Sequence, residues 1–248
     1  MTAFTAALIE AAHDYRYLLD RGYPESSSIA LVGNRHRLEA DGRLMLFRGV
    51  ASRADSERRR GHLAPPRAGD LVLLDAYNVV LTIVHYYLGK PCFLSSDGCL
   101  RDAGANYGRV SHGELLLRVF AELAGYLSPR NLVLEAFFDA PVSRSGEHAA
   151  ALRAAFSSAH CLAEVGVAAS ADGAIGARIE FILGPRKDID EEARTRDPSG
   201  SHRRLFVASS DSVLVDRAPW AWDLAREFLE ERHAATFGNF AAILDGQA

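Results

Sequence analysis

The sequence predicts a three-layer α/β/α fold with a mainly parallel central sheet, preceded by a small N-terminal α+β domain. Three observations predict it. Apolar runs recur at 71–74 (LVLL), 91–95 (PCFLS), 132–138 (LVLEAFF), 162–168 (LAEVGVA) and 205–208 (LFVA), with helical patterns at about 79–88, 112–126, 146–158 and 213–232. Strands alternating with helices build a parallel sheet covered on both faces. The runs are continuously apolar, as strands buried on both faces require. Finally, RRRGHLAPPRAGD at 58–70 breaks the pattern with two prolines, two glycines and a charge run. The domain boundary therefore falls near 64–69, giving an Arg-rich domain over 1–66 and the α/β domain over 67–248.

Within the first domain, MTAFTAALIEAAHDYRYLLD reads as an amphipathic helix over roughly 3–20, and RGYP as a turn. A second helix starts at Glu25 or Ser26, with Ser26 to Ser28 as caps and Ile29, Leu31 and Val32 as its apolar side. In HRLEADGRLMLFRGV, Asp41-Gly42 between strand-like runs predicts a hairpin. In the second domain, 177–183 (ARIEFIL) takes no assignment, and 184–202, polar and charged, reads as a long exposed loop. The tryptophans of APWAW fall on the last helical stretch and read as core.

The chain of 248 residues is 48% hydrophobic and 24% charged, ordinary for globular proteins. No apolar run nears the ~20 residues that span a bilayer. The first residues lack a basic head and already include acids, so they do not read as an export signal and a cytoplasmic protein is expected. Cys92, Cys99 and Cys161 form no CxxC pair, which indicates neither zinc nor a disulfide framework. Charge is uneven: residues 1–67 hold 11 Arg against 8 Asp and Glu, and only two cations of the chain, Lys90 and Lys187, are lysines. Arg forks suit phosphate. Asn34, Arg35, Arg37, Arg48 and Arg53 are the candidate nucleic-acid contacts; the other reading, Arg residues tying the small domain to the acidic larger one, stands beside it.

Four apolar runs end in aspartate: Asp75, Asp97, Asp139 and Asp211. The carboxyl ends of parallel strands line one edge of a sheet, where ligands bind. Carboxylates gathered there call for a neutralising cation, and an all-oxygen set suits Mg²⁺ or Mn²⁺. Such a centre serves phosphoryl transfer or phosphodiester hydrolysis. Each acid also reads as a helix cap, and Asp97, in SSDG, as a turn residue. Asn78, three residues after Asp75, is placed to orient a metal-bound water or a phosphate oxygen. Ser143, Arg144 and Ser145 open a helix as a phosphate nest, with Ser145 as its N-cap. No GxSxG, P-loop, GxGxxG or HExxH motif occurs, and His148 and His202 read as surface or supporting groups.

LLDAYNVV resembles the DGYN-type start of PIN-like ribonuclease folds, the NYN branch above all, and ASSDSVLVD resembles their later SSD/TSD motif. FFDAPVSRSGEHAA, preceded by SSDGCLRD, is similar to a prokaryotic family that joins a small N-terminal domain, marked by RGYP, LVGNRHRL and LFRGV, to a PIN-like domain. The resemblance implies a PIN-like sandwich in which Asp75 and Asp211 bind metal and Asn78 assists, with Asp139 as an additional acid. Ala76 stands where the motif has Gly, 184–202 is inserted ahead of Asp211, and Glu114 matches a helical Glu of that fold by position only. The resulting expectation is a Mg²⁺- or Mn²⁺-dependent ribonuclease or phosphodiesterase. Its alternatives are a non-catalytic RNA- or nucleotide-binding module and a small-molecule phosphatase. RNA is the expected partner, no membrane is, and the oligomeric state is left open, a homodimer included.

Overall fold

A computed structural model describes residues 4–104, 113–184 and 203–246. Helices α1 (Ala6–Leu19), α2 (Glu25–Arg35), α3 (Ala40–Gly49) and α4 (Arg53–His62) come first. There follow β1 (Leu71–Asp75), α5 (Ala76–Tyr87), β2 (Cys92–Leu94), β3 (Leu100–Asp102), α6 (Gly113–Leu127), β4 (Val133–Asp139), α7 (Ser145–Ser158), β5 (Leu162–Ala168) and α8 (Ala171–Leu183). The chain ends with β6 (Leu205–Ala208), α9 (Ser212–Arg217), β7 (Trp220–Trp222), α10 (Leu224–His233), β8 (Gly238–Asn239) and α11 (Phe240–Leu244). The segment 185–202, with the expected loop and His202, lies outside the described residues.

The chain forms two compact units, one of Met1–Gly61, His85–Ala105 and Leu229–Ala248, the other of His62–Val84 and Asn106–Phe228. The second unit carries the predicted architecture: a five-stranded parallel sheet in the order β5-β4-β1-β6-β7, flanked by helices. β1, at its centre, is buried at every residue. On β4 burial alternates, with Leu134, Ala136 and Phe138 buried and Glu135, Phe137 and Asp139 half-exposed.

From Ala6 to Gly61 the first unit is built of helices alone, so two expectations fall there: the α+β character of the 1–66 domain and its hairpin. No hairpin forms at Asp41-Gly42; these residues lie in the first turn of α3. Met45, Leu46 and Gly49 are buried, an i, i+1, i+4 spacing that is helical and not alternating. Gly49 is needed there, since a Cβ would lie 2.5 Å from the Phe240 ring. The strands of this unit are instead β2, β3 and β8, in a separate three-stranded sheet. Its core gathers Leu8, Tyr15, Val32, Leu46, Phe93 and Phe240.

Three further corrections concern element ends. The expected helix 213–232 is two helices separated by edge strand β7, which pairs with β6; Trp222 on it is buried. Residues 177–183 are the second half of α8, whose N-cap is Ser170. The N-cap of α7 is Arg144, in the left-handed region at φ 65°, and Ser145 is the first helical residue. No helix among the described residues is long and apolar enough to cross a membrane.

A candidate carboxylate centre at the carboxyl edge of the parallel sheet

Sheet order locates the site. From β1 the chain moves outward through β4 to β5, then returns across β1 to β6 and β7. The direction of winding reverses between β1 and β6, and the crevice outside the carboxyl ends of such a strand pair is where open α/β sheets take ligands. Asp75 ends β1 there, and Ser209, Ser210 and Asp211 follow β6.

Asp75 is only 5% exposed. Its carboxylate accepts from the Asn78 backbone N–H at 3.3 Å and from the Ser209 hydroxyl at 3.0 Å. Burial, reinforced by the charges of Asp172 and Asp139, pushes its pKa up to about 7. Asp70, immediately before the same strand, meets the opposite surroundings. It is equally buried, but the Arg204 guanidinium grips it with Nε at 3.2 Å and Nη2 at 2.8 Å. Asp75 has no ion-pair partner among the described residues.

Three further acids belong to the same neighbourhood, Asp139 and Asp172 acting on Asp75 and Asp211 acting on Asp172. Asp139 ends β4 and accepts from the Ala171 N–H at 2.8 Å. Asp211 caps α9, accepting from Val213 and Leu214. Asp172, in the first turn of α8, joins them although it follows no apolar run that would mark it in the sequence. Burial and then the charges of Asp211 and Asp139 raise its pKa. The mutual effects place the four carboxylates in one electrostatic neighbourhood. Their oxygens do not converge on a point: among the described residues no group of three His, Cys, Asp or Glu side chains is disposed to hold a metal ion.

Around the acids lies a set of neutral groups. The Asn78 side-chain oxygen accepts from the Ser210 N–H at 2.8 Å and its hydroxyl at 3.0 Å, bridging the crevice and leaving the amide nitrogen as a donor. His148 is buried on α7, its Nδ1 2.9 Å from the Tyr77 hydroxyl. Burial, then Arg144, lowers its pKa, while burial and Asp139 raise that of Tyr77 to about 12. Ser143 is exposed, Ser145 is buried, and Arg144 is turned to Glu147. Glu114 is exposed on the first turn of α6.

Comparison with known proteins reaches most of the chain. Residues 7–62 match a protein family of unknown function, DUF434, and residues 67–227 match a domain of unknown function, DUF5616. The chain belongs to the DUF5616 family. An uncharacterized protein of Methanocaldococcus jannaschii, MJ0935, is 25% identical over 225 residues, which cover 89% of this chain and 96% of that protein. No solved structure matches. The two family matches support a two-domain organisation of this chain.

The DUF5616 match contains Asp97, but the structure sets this residue apart from the other three strand-end acids. It lies on the turn between antiparallel β2 and β3, in the first unit, as its SSDG context allowed. Burial opposes its charge, but Arg101 at 2.8 Å and the Ser95 hydroxyl hold its carboxyl below the usual range. It is the anchor of a buried ion pair and not a member of the carboxylate centre. In the DUF434 match, the candidate cationic patch divides. Arg35 and Arg37 are exposed, with Arg35 3.3 Å from Asp14, and Asn34 accepts from Arg43. Arg48 turns inward to Asp102 at 3.5 Å, and Arg59 reaches Asp97 at the same distance. These two tie the N-terminal helices to the 85–105 segment of their own unit.

Proposed function

We propose that the carboxylate centre hydrolyses a phosphodiester, RNA being the substrate class, with the help of Mg²⁺ or Mn²⁺. One observation carries the reading. Asp75, at the reversal point of the sheet, is buried without an ion-pair partner among the described residues, while the charges of Asp139 and Asp172 bear on it and that of Asp211 bears on Asp172. Burying an unpaired carboxylate among like charges is costly, and a cation relieves both terms. The donors are all oxygens, as a hard cation prefers. That the acids do not converge in threes is compatible with Mg²⁺, which typically takes one or two protein carboxylates and completes its sphere with water and phosphate.

Asp75 would hold the ion with Asp139, Asp172 or Asp211, and the ion would offset phosphate charge and favour hydroxide over water. Asn78, its oxygen committed to Ser210, would offer its amide N–H to a phosphate oxygen. Ser143 and the Gly146 and Glu147 N–H groups of α7 would be further phosphate donors, the Ser145 N–H being taken by the Val142 carbonyl.

One observation favours a second reading, a binding module without turnover. Asp75, Asp139 and Asp211 each accept a backbone N–H, as structural caps do. Cleavage of an RNA panel with Mg²⁺ or Mn²⁺ separates the two. The proposal expects cleavage that chelator stops and Asp75→Asn lowers at least 100-fold. RNA binding without cleavage under any divalent ion supports the second reading, and cleavage equal in the variant overturns the first.

A further inference from the structure

An open groove of about 710 Å³ lies on the face of the parallel sheet that carries α8. That volume suits a small ligand. Strand alternation puts Glu135, Phe137 and Asp139 on one face of β4, and the register sets Glu164 beside Glu135 and Gly166 beside Phe137. Asp75 pairs with Phe137, so the groove begins one strand spacing, about 4.8 Å, from the carboxylate centre. The wall is a stripe of α8, Ala174, Ala177, Arg178 and Phe181, at the spacing of one helix face.

The groups in this groove are selective. Phe181 is 79% exposed, a large ring held at the rim. Gly166, Ala174 and Ala177 leave a slot between strand and helix. Arg178 is committed: its Nε and Nη2 both donate to Glu135 at 2.7 Å. Glu164 is exposed, and its side chain has no hydrogen-bond partner among the described residues. The Arg178 guanidinium also lies 5.4 Å from the Phe181 ring centroid, so the groove offers the other face of that ring and an unmatched carboxylate, with its guanidinium already neutralised. A second phosphate would be repelled by Glu164. A flat, uncharged ring bearing N–H donors fits: it stacks on the aromatic and donates to the carboxylate. Guanine fits best, because its N1–H and N2–H lie side by side as a carboxylate's two oxygens do.

We propose that this groove binds a nucleobase, guanine by preference, of the nucleotide whose phosphate lies at the carboxylate centre. The placing of that phosphate rests on the function proposed above; the base recognition does not. The test uses the full chain in chelator, titrated with guanosine and with uridine, which carry no phosphate, and followed by backbone amide shifts. Guanosine is expected to bind roughly tenfold tighter and to shift Gly166 and Ala177. Phe181→Ala should weaken guanosine about tenfold, the order of one lost stacking contact. Glu164→Gln should remove the preference while leaving uridine unchanged. Both side chains are exposed, so neither change threatens folding. Equal affinities that neither variant alters overturn the proposal. So does a dimer that Phe181→Ala dissociates without effect on guanosine, which would make a second copy the occupant. Guanosine preference in a protein that cleaves no RNA would sink the phosphodiesterase reading and leave the groove standing.

Discussion

Asp70 and Asp75 flank the same five-residue strand, equally buried, and only the first has an arginine. This contrast yields a pH prediction. The Asp75 pKa is about 7 in the folded chain and near 3.9 in an unfolded one. Between those values the native state keeps a proton that the unfolded state has lost, so stability falls as pH rises. The stability tied to this proton is fully present below about pH 4 and gone above about pH 7. Asp75→Asn in chelator should therefore gain on the wild type between pH 5 and pH 8, by on the order of a few kcal/mol. Thermal unfolding at both pH values checks it; a difference that does not change with pH would contradict it. At this scale the sequence was informative about acids that end strands and silent about acids that begin helices. Asp75, Asp139 and Asp211 stood out by following apolar runs. Asp172 did not, because its helix is mostly apolar and small, and its start at Ser170 follows a strand with almost no linker.

Elements were legible where burial is two-sided and ambiguous where it is not. The continuously apolar runs of β1 and β6 are buried at every residue, as a sheet packed on both faces demands, and they fell where expected; β4 did too, although its burial alternates. The Asp41-Gly42 pair misled because its hairpin signal is local, whereas packing of Met45, Leu46 and Gly49 against the core is not. Trp220–Trp222 was absorbed into a helical pattern because a three-residue edge strand has too few residues to show a period of two. Gly49 tests the helical account of α3. An added methyl would meet Phe240 at 2.5 Å and Phe93 at 2.9 Å, both buried ring carbons. Gly49→Ala should cost roughly 1–3 kcal/mol by overpacking. A melting temperature unchanged from wild type would show that the core there yields more than this packing allows.

At the scale of the whole molecule, the chain is not divided as a simple string. Residues 85–105 and 229–248 pack with the N-terminal helices, though 85–105 falls within the DUF5616 match. No composition shift marks those crossings, so a boundary read from the sequence near 64–69 says nothing of the returns. The Arg-rich N-terminal stretch is likewise only partly a free surface, since Arg48 and Arg59 are matched by acids of the 85–105 segment. What unites the functional account is the acid cluster on the other unit, where Arg217 acts on Asp172 but Asp75 has no ion-pair partner among the described residues. Calorimetric titration of the full chain with Mn²⁺ at pH 8 tests this most directly. The account predicts saturable binding of an ion that Asp75→Asn weakens at least tenfold, with Asp97→Asn leaving affinity unchanged in any variant that still folds. No binding, or binding that Asp75→Asn leaves intact, would contradict it.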